Sequence, residues 1–282
     1  MRKIFCPTDF SEQANHAVEA GYYLAKKFNA EFHLFHVIES SAHTDFNIQG
    51  APGGGTDMED VFFLKLIKAT ERRMTELVST PGLEEIQVTS SIKIGKPNEL
   101  IREEIESGGY TMIVMGTKGT SGMNAILVGS NAERVVRSAK IPVLTVKEFV
   151  DEQTFKSIIY ASTFIENDSE LIEQVKMLQE AFDSEVHLLR VNTPNNFITD
   201  WSSRKLMKKF AKEHGLSKCT FNVYNDTIEE DGIMYFAEEI QAGLLVMTTH
   251  GRTGFSHLLS GSIAEDLVNH SKRPVLTYNT RK

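Results

Sequence analysis

Two glycine-rich stretches carry the residues that could do chemistry. The first contains Gly116 and Gly119 and, nine residues further on, Gly129, Ser130 and Asn131. Glycine lets the backbone turn where other residues are strained, and it leaves no Cβ between the backbone and a ligand. A helix that begins after Gly129 would present unpaired amides and the positive end of its dipole, which favour an anion. The spacing therefore predicts a phosphate site, to which the hydroxyl of Ser130 would contribute.

The second stretch repeats this spacing near the C-terminus, although Thr248 stands where the first copy has Gly116. The positions that match the first copy in spacing are Gly251, Gly261, Ser262 and Ile263. An apolar, strand-like run precedes each copy, and a helix-like run and a short strand follow it, so a whole unit has been duplicated. Short glycine motifs also serve tight packing alone, and that alternative stays open for both copies.

Length and composition favour two ordinary globular domains. The chain has 282 residues, of which 41% are hydrophobic and 24% charged, and the repeat divides it into units of about 140 residues. We predict a first domain at 1–147, a linker at 148–154 and a second domain at 155–282. The linker is predicted from its run of charged residues.

Charge and hydropathy disfavour several classes of partner. The formal net charge of −8 disfavours nucleic acid and anionic membranes. No apolar run approaches the roughly 18 residues that a membrane-spanning helix needs, and the first residues do not resemble a signal peptide. We therefore expect a cytoplasmic protein with neither nucleic acid nor membrane as a partner.

The two cysteines give no sign of a metal site or a disulfide framework. Cys6 and Cys219 fall in predicted strands of different halves, with no CxxC motif and no cysteine–histidine cluster. We interpret both as small buried hydrophobic residues. We predict no metal ligand among the protein side chains.

Each half alternates strands and helices. In the first half, a strand at 2–8 leads to a helix from the predicted N-cap Ser11 to Asn29, and a second strand follows at 31–37. A strand, a helix and a strand in that order require a parallel pair with a right-handed crossover. The pattern restarts at 155 and each half gives five strands. We predict two doubly wound α/β domains, each with a mainly parallel five-stranded sheet.

One segment departs from this alternation. Residues 39–57 are polar and rich in glycine, and they have no counterpart in the second half. We interpret them as a surface loop. The residues leave open whether this loop is a length-tolerant insertion or a lid over a ligand.

The combined motifs resemble the universal stress protein family in its tandem form. The resemblance covers nearly the whole chain. The motifs that carry it are Pro7-Thr8-Asp9-Phe10-Ser11, His33-Leu34-Phe35-His36-Val37, the spaced glycines, and Pro142-Val143-Leu144-Thr145-Val146. The resemblance implies a Rossmann-like, adenine nucleotide alpha hydrolase-like fold. In the ATP-binding branch of the family it also implies a bound adenine nucleotide, ATP or AMP, with Mg²⁺ as a companion of ATP.

The resemblance also implies which residues bind the nucleotide. Asp9 and Val37 would contact the adenosine part. The residues around the phosphates would be Gly116, Gly119, Gly129, Ser130 and Asn131. Read from the residues alone, Asp9 also suits a helix-capping role on the first strand–helix turn, and both interpretations stay open.

The second half departs from the family pattern. Thr163 aligns with Asp9, so a carboxylate that could accept from a ribose hydroxyl or an adenine amine is lost. We therefore expect a competent first site and a second half that is weaker or purely structural. The weaker site would consist of Val191, Gly251, Gly261, Ser262 and Ile263.

No catalytic group is evident beside either glycine stretch. Ser130 and Ser262 have no histidine or aspartate partners in the sequence, and a hydrolase needs a residue that orients water. Whether the protein is an enzyme stays uncertain, and the resemblance allows at most slow ATP hydrolysis or autophosphorylation. We expect a nucleotide-binding protein with a regulatory, stress-response role. The alternative is a nucleotide-free interaction scaffold in which the glycine loops are only structural.

The last strand of each half predicts how the halves assemble. The strands at 142–146 and 274–278 are short, apolar and begin with proline, which is typical of edge strands. Two apolar edges in one chain favour pairing with each other. We expect an intramolecular pseudo-dimer of the two domains, which could form a homodimer in turn.

Overall fold

The computed structural model describes residues 2–39, 57–80, 85–117, 129–165, 169–248 and 262–279. The strands are β1 Lys3–Pro7, β2 Glu31–Glu39, β3 Val88–Gly95, β4 Met112–Gly116, β5 Val143–Val146, β6 Ser157–Ala161, β7 Glu185–Asn192, β8 Cys219–Asn225, β9 Leu244–Thr248 and β10 Val275–Tyr278. The helices are α1 Glu12–Phe28, α2 Asp57–Val78, α3 Pro97–Ser107, α4 Ser130–Ser138, α5 Ser169–Phe182, α6 Asp200–His214, α7 Glu229–Glu239 and α8 Ser262–His270. Most of the predicted 39–57 loop lies outside the described residues.

The strands form one ten-stranded sheet in the order β3-β2-β1-β4-β5-β10-β9-β6-β7-β8. Within each half every strand pair is parallel. The chain runs outward from β1 through β2 to β3, then returns to the other side of β1 for β4 and β5, and the second half repeats this order. The predicted α/β class with two doubly wound, five-stranded halves is confirmed. The order reverses between β1 and β4, and again between β6 and β9, where such sheets leave a crevice.

The last strands of the two halves pair with each other. β5 and β10 are antiparallel, with Leu144 opposite Leu276. Two buried hydroxyls reinforce the pair, because Thr145 Oγ1 donates to the carbonyl of Val275 at 3.1 Å and Thr277 Oγ1 donates to that of Val143 at 3.3 Å. The predicted pairing is confirmed. Its consequence is that these two strands lie at the centre of the sheet, and that β3 and β8 form its edges.

Caps define where the helices begin and end. Ser11 is the N-cap of α1, as predicted, and its hydroxyl accepts from the amide of Ala14. Asn29 ends the same helix in the left-handed conformation, with φ 49°, which asparagine tolerates better than most residues. Thr199 and Gly215 have the same roles at the two ends of α6. The first strand–helix turn is therefore fixed by local hydrogen bonds.

The segment predicted as a linker is packed between the halves. Val150 and Phe155 are buried in the main hydrophobic core. The ring of Phe155 stacks on Phe182 of α5, with 4.8 Å between centroids, and Tyr23 of α1 donates to Glu152 at 3.2 Å. These contacts join α1 of the first half to α5 of the second half.

The structure shows the burial of the two cysteines and of His33, and the apolar character of the helices. Cys6 is fully buried, but Cys219 is only half-buried, and burial raises the pKa of its thiol to about 11. His33 is buried, and its two ring nitrogens bond to the hydroxyls of Thr89 and Ser91, so the imidazole has a structural role. Across the described ranges, no helix has the length and apolar character needed to cross a membrane.

The hydroxyls across the central strand pair give a stability prediction. Thr145→Val and Thr277→Val keep side-chain shape but leave a buried carbonyl without its donor, so each should lower the free energy of unfolding by about 1–2 kcal/mol. Thr75→Val on the exposed face of α2 is the matched control and should change it by less than about 0.5 kcal/mol. Urea denaturation of the three variants measures this. Equal losses in all three would show that the cross-strand bonds contribute nothing specific.

Candidate functional site

A cavity of about 430 Å³ opens at the carboxyl ends of the strands in the first half, within the 300–1,000 Å³ range of ligand pockets. Five residues predicted from the sequence line it together: Asp9, Val37, Gly116, Gly129 and Asn131. Ser130 begins α4, but its side chain is outside the described part of the chain, as is Gly119. The described part of the predicted first site therefore comes together in one cavity.

The turn after β1 positions Asp9 at the cavity. The amide of Thr8 donates to the carbonyl of Phe35 on β2 at 2.8 Å, which holds the turn to the neighbouring strand. Phe10 takes a positive φ of 61°, and its amide donates to the hydroxyl of Thr8. Oδ1 of Asp9 accepts from the amide of Ser11 at 3.0 Å. Ser11, and not Asp9, is the N-cap of α1, so the carboxylate of Asp9 closes the turn before the helix. The same residue lines the cavity.

Gly116 ends β4 where this strand meets the first turn of α1. A Cβ at this position would lie 2.8 Å from the carbonyl carbon and oxygen of Gln13, and 2.9 Å from the amide nitrogen of Ala14. These are backbone atoms of a capped helix, so they cannot move aside cheaply. The structure gives a packing reason for glycine here, independent of any ligand.

The N-terminus of α4 lies at the same cavity. Gly129 is its N-cap, with extended backbone, and has no side chain to cap the first amides, in contrast to Ser11 in α1. The amide of Gly129 donates to the carbonyl of Thr117 at 2.5 Å, which ties the helix start to the end of β4. First-turn amides without a side-chain cap suit an anion.

Thr117 is a cavity residue that the sequence reasoning missed. Its side chain is 1% exposed and lines the cavity. Among the described residues, its hydroxyl oxygen has no hydrogen-bond partner, which is costly for a buried polar atom. The signal in the sequence was the repeat itself, because a threonine follows the strand in both copies, at 117 and 249.

His36 is a second lining residue that was not among the predicted site residues. Its Nδ1 lies 2.8 Å from the carbonyl of Thr8, so Nδ1 carries the proton in this bond. The imidazole of His36 packs on the ring of Phe10, with 4.6 Å between the two centroids. The guanidinium of Arg73 lies 4.7 Å from the centroid of the Phe10 ring. Burial of the imidazole is the main cause that lowers the pKa of His36. The neutral ring is therefore favoured in the folded protein.

The corresponding crevice of the second half is smaller, at about 110 Å³. Val191 and Ile263 line it as predicted. Ser262 begins α8 without a described side chain, and Gly251 and Gly261 fall in a range that the structure does not describe.

A buried arginine lines this second crevice. Arg190 occupies the position on β7 that His36 occupies on β2, and it is 4% exposed. Its Nη1 donates to the carbonyl of Thr163 at 3.1 Å, and its Nη2 donates to that of Asn196 at 3.0 Å. A side chain of the protein thus extends over the position where the first half has its cavity.

Comparison with known proteins gives the family. A family model described as the universal stress protein family matches residues 1–147 and 154–279. The chain belongs to the universal stress protein family. It therefore contains two universal stress protein domains in tandem, and the resemblance read from the motifs is confirmed. A role in the stress response follows from this membership at the level of the family.

Individual relatives agree with this assignment. The chain is 32% identical over 150 residues to universal stress protein MJ0531 of Methanocaldococcus jannaschii, a match that covers 52% of this chain and 82% of the relative. It is 23% identical over 294 residues to universal stress protein Slr1230 of Synechocystis, covering 99% and 100%. A universal stress protein from Archaeoglobus fulgidus has the same fold, with a TM-score of 0.76 at 21% identity over 99% and 98% of the two chains.

The described residues do not include a cluster of three or more histidine, cysteine, aspartate or glutamate side chains that could hold a metal ion. Oxygen and nitrogen ligands from several side chains are what a protein metal site requires. The described part of the site therefore offers carboxylate, amide and hydroxyl groups, a set that suits hydrogen bonding to a polar ligand.

His36 gives a pH-dependent stability prediction. Since folding lowers the pKa of His36 from its ordinary 6.5, the unfolded chain takes up a proton near pH 6.5 that the folded chain does not. This contribution to stability is present above pH 6.5 and is lost as the pH falls toward the lower folded value. His36→Gln should therefore make the decline in unfolding free energy between pH 7 and pH 5 shallower.

Urea denaturation at a series of pH values measures this slope. The matched control is His270→Gln, because the ring of His270 is exposed at the end of α8. We expect the control to keep the wild-type slope. A His36→Gln slope as steep as that of the wild type would contradict the burial of a neutral ring.

Proposed function

We propose that the first half binds an adenine nucleotide, ATP or AMP, and that the protein acts in the stress response as a nucleotide-dependent regulator. The observation that carries the proposal is the cavity of about 430 Å³ at the β1–β4 reversal, where the carboxylate of Asp9 and the uncapped start of α4 line the same space. Membership of the universal stress protein family supports it.

Each end of the nucleotide has a complementary group in this cavity. The carboxylate of Asp9 accepts from a ribose hydroxyl or from the adenine amine, and the backbone of Val37 borders the adenosine. The phosphates lie against the first amides of α4, beside Gly129 and Asn131, where the helix dipole favours negative charge. Gly119 and the hydroxyl of Ser130 remain predicted phosphate contacts. Mg²⁺, where ATP brings it, is held by phosphates and water.

In this proposal the second half binds nucleotide weakly or serves structure alone. Its crevice has about a quarter of the volume of the first, which is below the range of sites for nucleotide-sized ligands. Thr163 offers no carboxylate, and Arg190 extends along the crevice wall. The first site is therefore the one to test.

The alternative is an interaction scaffold that binds no nucleotide. Two observations favour it: the backbone of α1 accounts for Gly116 by packing alone, and the carboxylate of Asp9 accepts from the amide of Ser11 within its own turn. Under this alternative the cavity stays open to water and neither ATP nor AMP binds. Slow ATP hydrolysis, autophosphorylation and a cytoplasmic location stay predictions under either function.

The role of Asp9 gives the first test. Asp9→Asn keeps the shape and a carbonyl oxygen that can accept from Ser11, but removes the charge, so ATP and AMP should bind at least about tenfold more weakly, as expected for a loss of about 1.4 kcal/mol or more. Isothermal titration calorimetry measures both affinities. Thr163→Val, at the matching position of the second half, is the control and should leave them unchanged. If the wild type binds neither nucleotide, the scaffold is correct.

His36 on β2 and Arg190 on β7 occupy matching positions, and exchanging their side chains gives the second test. His36→Arg copies the side chain of the second half, so it should fill the first cavity, pair with Asp9 and abolish nucleotide binding. Arg190→His makes the reverse change and should not weaken binding. Thermal unfolding checks that both variants fold. Nucleotide binding that survives His36→Arg but is lost in Arg190→His would move the site to the second half.

A further inference from the structure

A second cavity of the first half is a groove on the outer helix layer. It lies between α3 and α4 and has a volume of about 790 Å³. One face of each helix forms its walls, with the i, i+3, i+4, i+7 spacing of residues that line one side of a helix. These residues are Asn98, Ile101, Arg102 and Ile105 on α3, and Asn131, Arg134, Val135 and Ser138 on α4.

The groove combines an apolar floor with a basic rim. Ile101, Tyr110 and Val135 are buried at its base. The basic residues on the rim are Arg102, Arg134, Arg137 and Lys140, and the acidic ones are Glu99 and Glu106.

Three of these cations are unmatched. Arg137 pairs with Glu133 at 2.9 Å, and Glu99 pairs with Lys96 at 3.1 Å. Within the described ranges, the exposed side chains of Arg102, Arg134 and Lys140 have no ion-pair partner. In a chain with a net charge of −8, this is a local excess of positive charge beside apolar surface. Such a surface favours an acidic partner with an apolar anchor.

The second half shows that the fold does not require these arginines. α7 and α8 hold the equivalent places, with Met234 in place of Arg102 and Asp266 in place of Arg134. Glu230 corresponds to Asn98, so the same two helix faces carry acidic instead of basic groups. Phe236 of α7 and Leu267 of α8 are buried in one hydrophobic cluster. The basic groove is thus particular to the first half.

The outer face of α7 has the complementary chemistry. Asp231, Tyr235 and Glu239 are exposed and lie four residues apart, so they form one stripe along the helix. Tyr235 is 57% exposed, and in the described structure neither acid has an ion-pair partner. The stripe therefore presents an aromatic ring between two carboxylates, on a helix of the second half.

We propose that the α3–α4 groove of one copy of this chain binds the outer face of α7 of a second copy. Tyr235 contacts the apolar floor, and Asp231 and Glu239 face Arg102 and Arg134. The contact joins different surfaces of the two copies, so it is heterologous and leaves a groove and a helix available for further copies, giving a chain of molecules or a closed ring. The β5–β10 pair already uses the apolar strand edges within one chain, so this association uses another surface.

Sedimentation velocity over a range of protein and salt concentrations tests the proposal. The full-length wild type should self-associate, and association should weaken with salt because the rim charges are exposed. A groove variant, Arg102→Glu with Arg134→Glu, and a helix variant, Asp231→Lys with Glu239→Lys, should each raise the dissociation constant at least about tenfold through like-charge contact. Lys208→Glu with Lys209→Glu, on the exposed face of α6, is the control and should associate as the wild type does. Circular dichroism checks that all variants fold.

A mixture of the two variants gives the decisive measurement. The groove variant has an acidic groove that complements the basic α7 of the helix variant, while its own α7 complements the other's groove. The mixture should therefore associate although each component alone does not. The proposal is overturned if the wild type stays monomeric at millimolar concentration, or if the mixture does not associate. It is also overturned if the wild type stays monomeric while a glutamate–tyrosine copolymer binds the groove, because the occupant is then a different acidic protein.

Discussion

Parallel pairing of β1 with both of its neighbours determines where the first half can bind a ligand. β1 lies between β2 and β4 with all three strands running the same way, so their carboxyl ends lie at one edge of the sheet. The chain leaves β1 toward α1 on one side and leaves β4 toward α4, and the helices diverge from the point of reversal. Asp9, Val37 and Gly116 are close together for this reason, although long stretches of chain separate them.

The two halves keep the same turn at this edge while their ligand-facing residues differ. Phe10 and Phe164 both have a positive φ, of 61° and 59°, and in both turns the phenylalanine amide donates to a hydroxyl two residues earlier, that of Thr8 or Ser162. A strained backbone persists only where the surroundings enforce it. Because the turn is the same with and without the aspartate, it is a structural feature of the fold. The proposed difference in nucleotide binding between the halves therefore depends on the side chains that this turn presents.

Local signals made much of the fold predictable. The helix predicted from the N-cap Ser11 to Asn29 is α1, with these two residues as its caps, because helical periodicity and caps are encoded within a few residues. The pairing of β5 with β10 could be predicted because each of these short apolar strands is the last strand of its half and has one edge that its own half leaves unpaired. The packing of the linker was harder to predict from the sequence, because its charged residues indicate an exposed segment. The burial of Val150 depends on contacts from both halves.

The sequence predicted which backbone segments meet at the candidate site, but it did not predict how the side chains pack there. Glycine spacing identified Gly116 and Gly129, which both line the cavity, but the packing of Gly116 against α1 is a long-range contact that no local pattern contains. Arg190 was not recognised as a crevice residue, because a charged residue on a strand predicts exposure. Its burial is made acceptable by partners such as the carbonyls of Thr163 and Asn196. Buried polar groups need partners, and those partners come from other segments of the chain.

The edges of the sheet explain why association between copies would use helices. β8 is an open edge without charged residues, but Arg204 of α6 donates to the carbonyl of Phe221 at 2.5 Å and so covers part of it. β3, at the other edge, carries Lys93, which pairs with Glu104 at 2.8 Å, and charges on edge strands oppose strand addition. The most apolar strand edges are already joined to each other within the chain. The helix layers offer other surfaces for specific contact, and there the arginines that face the α3–α4 groove have uncharged or acidic counterparts on α7 and α8.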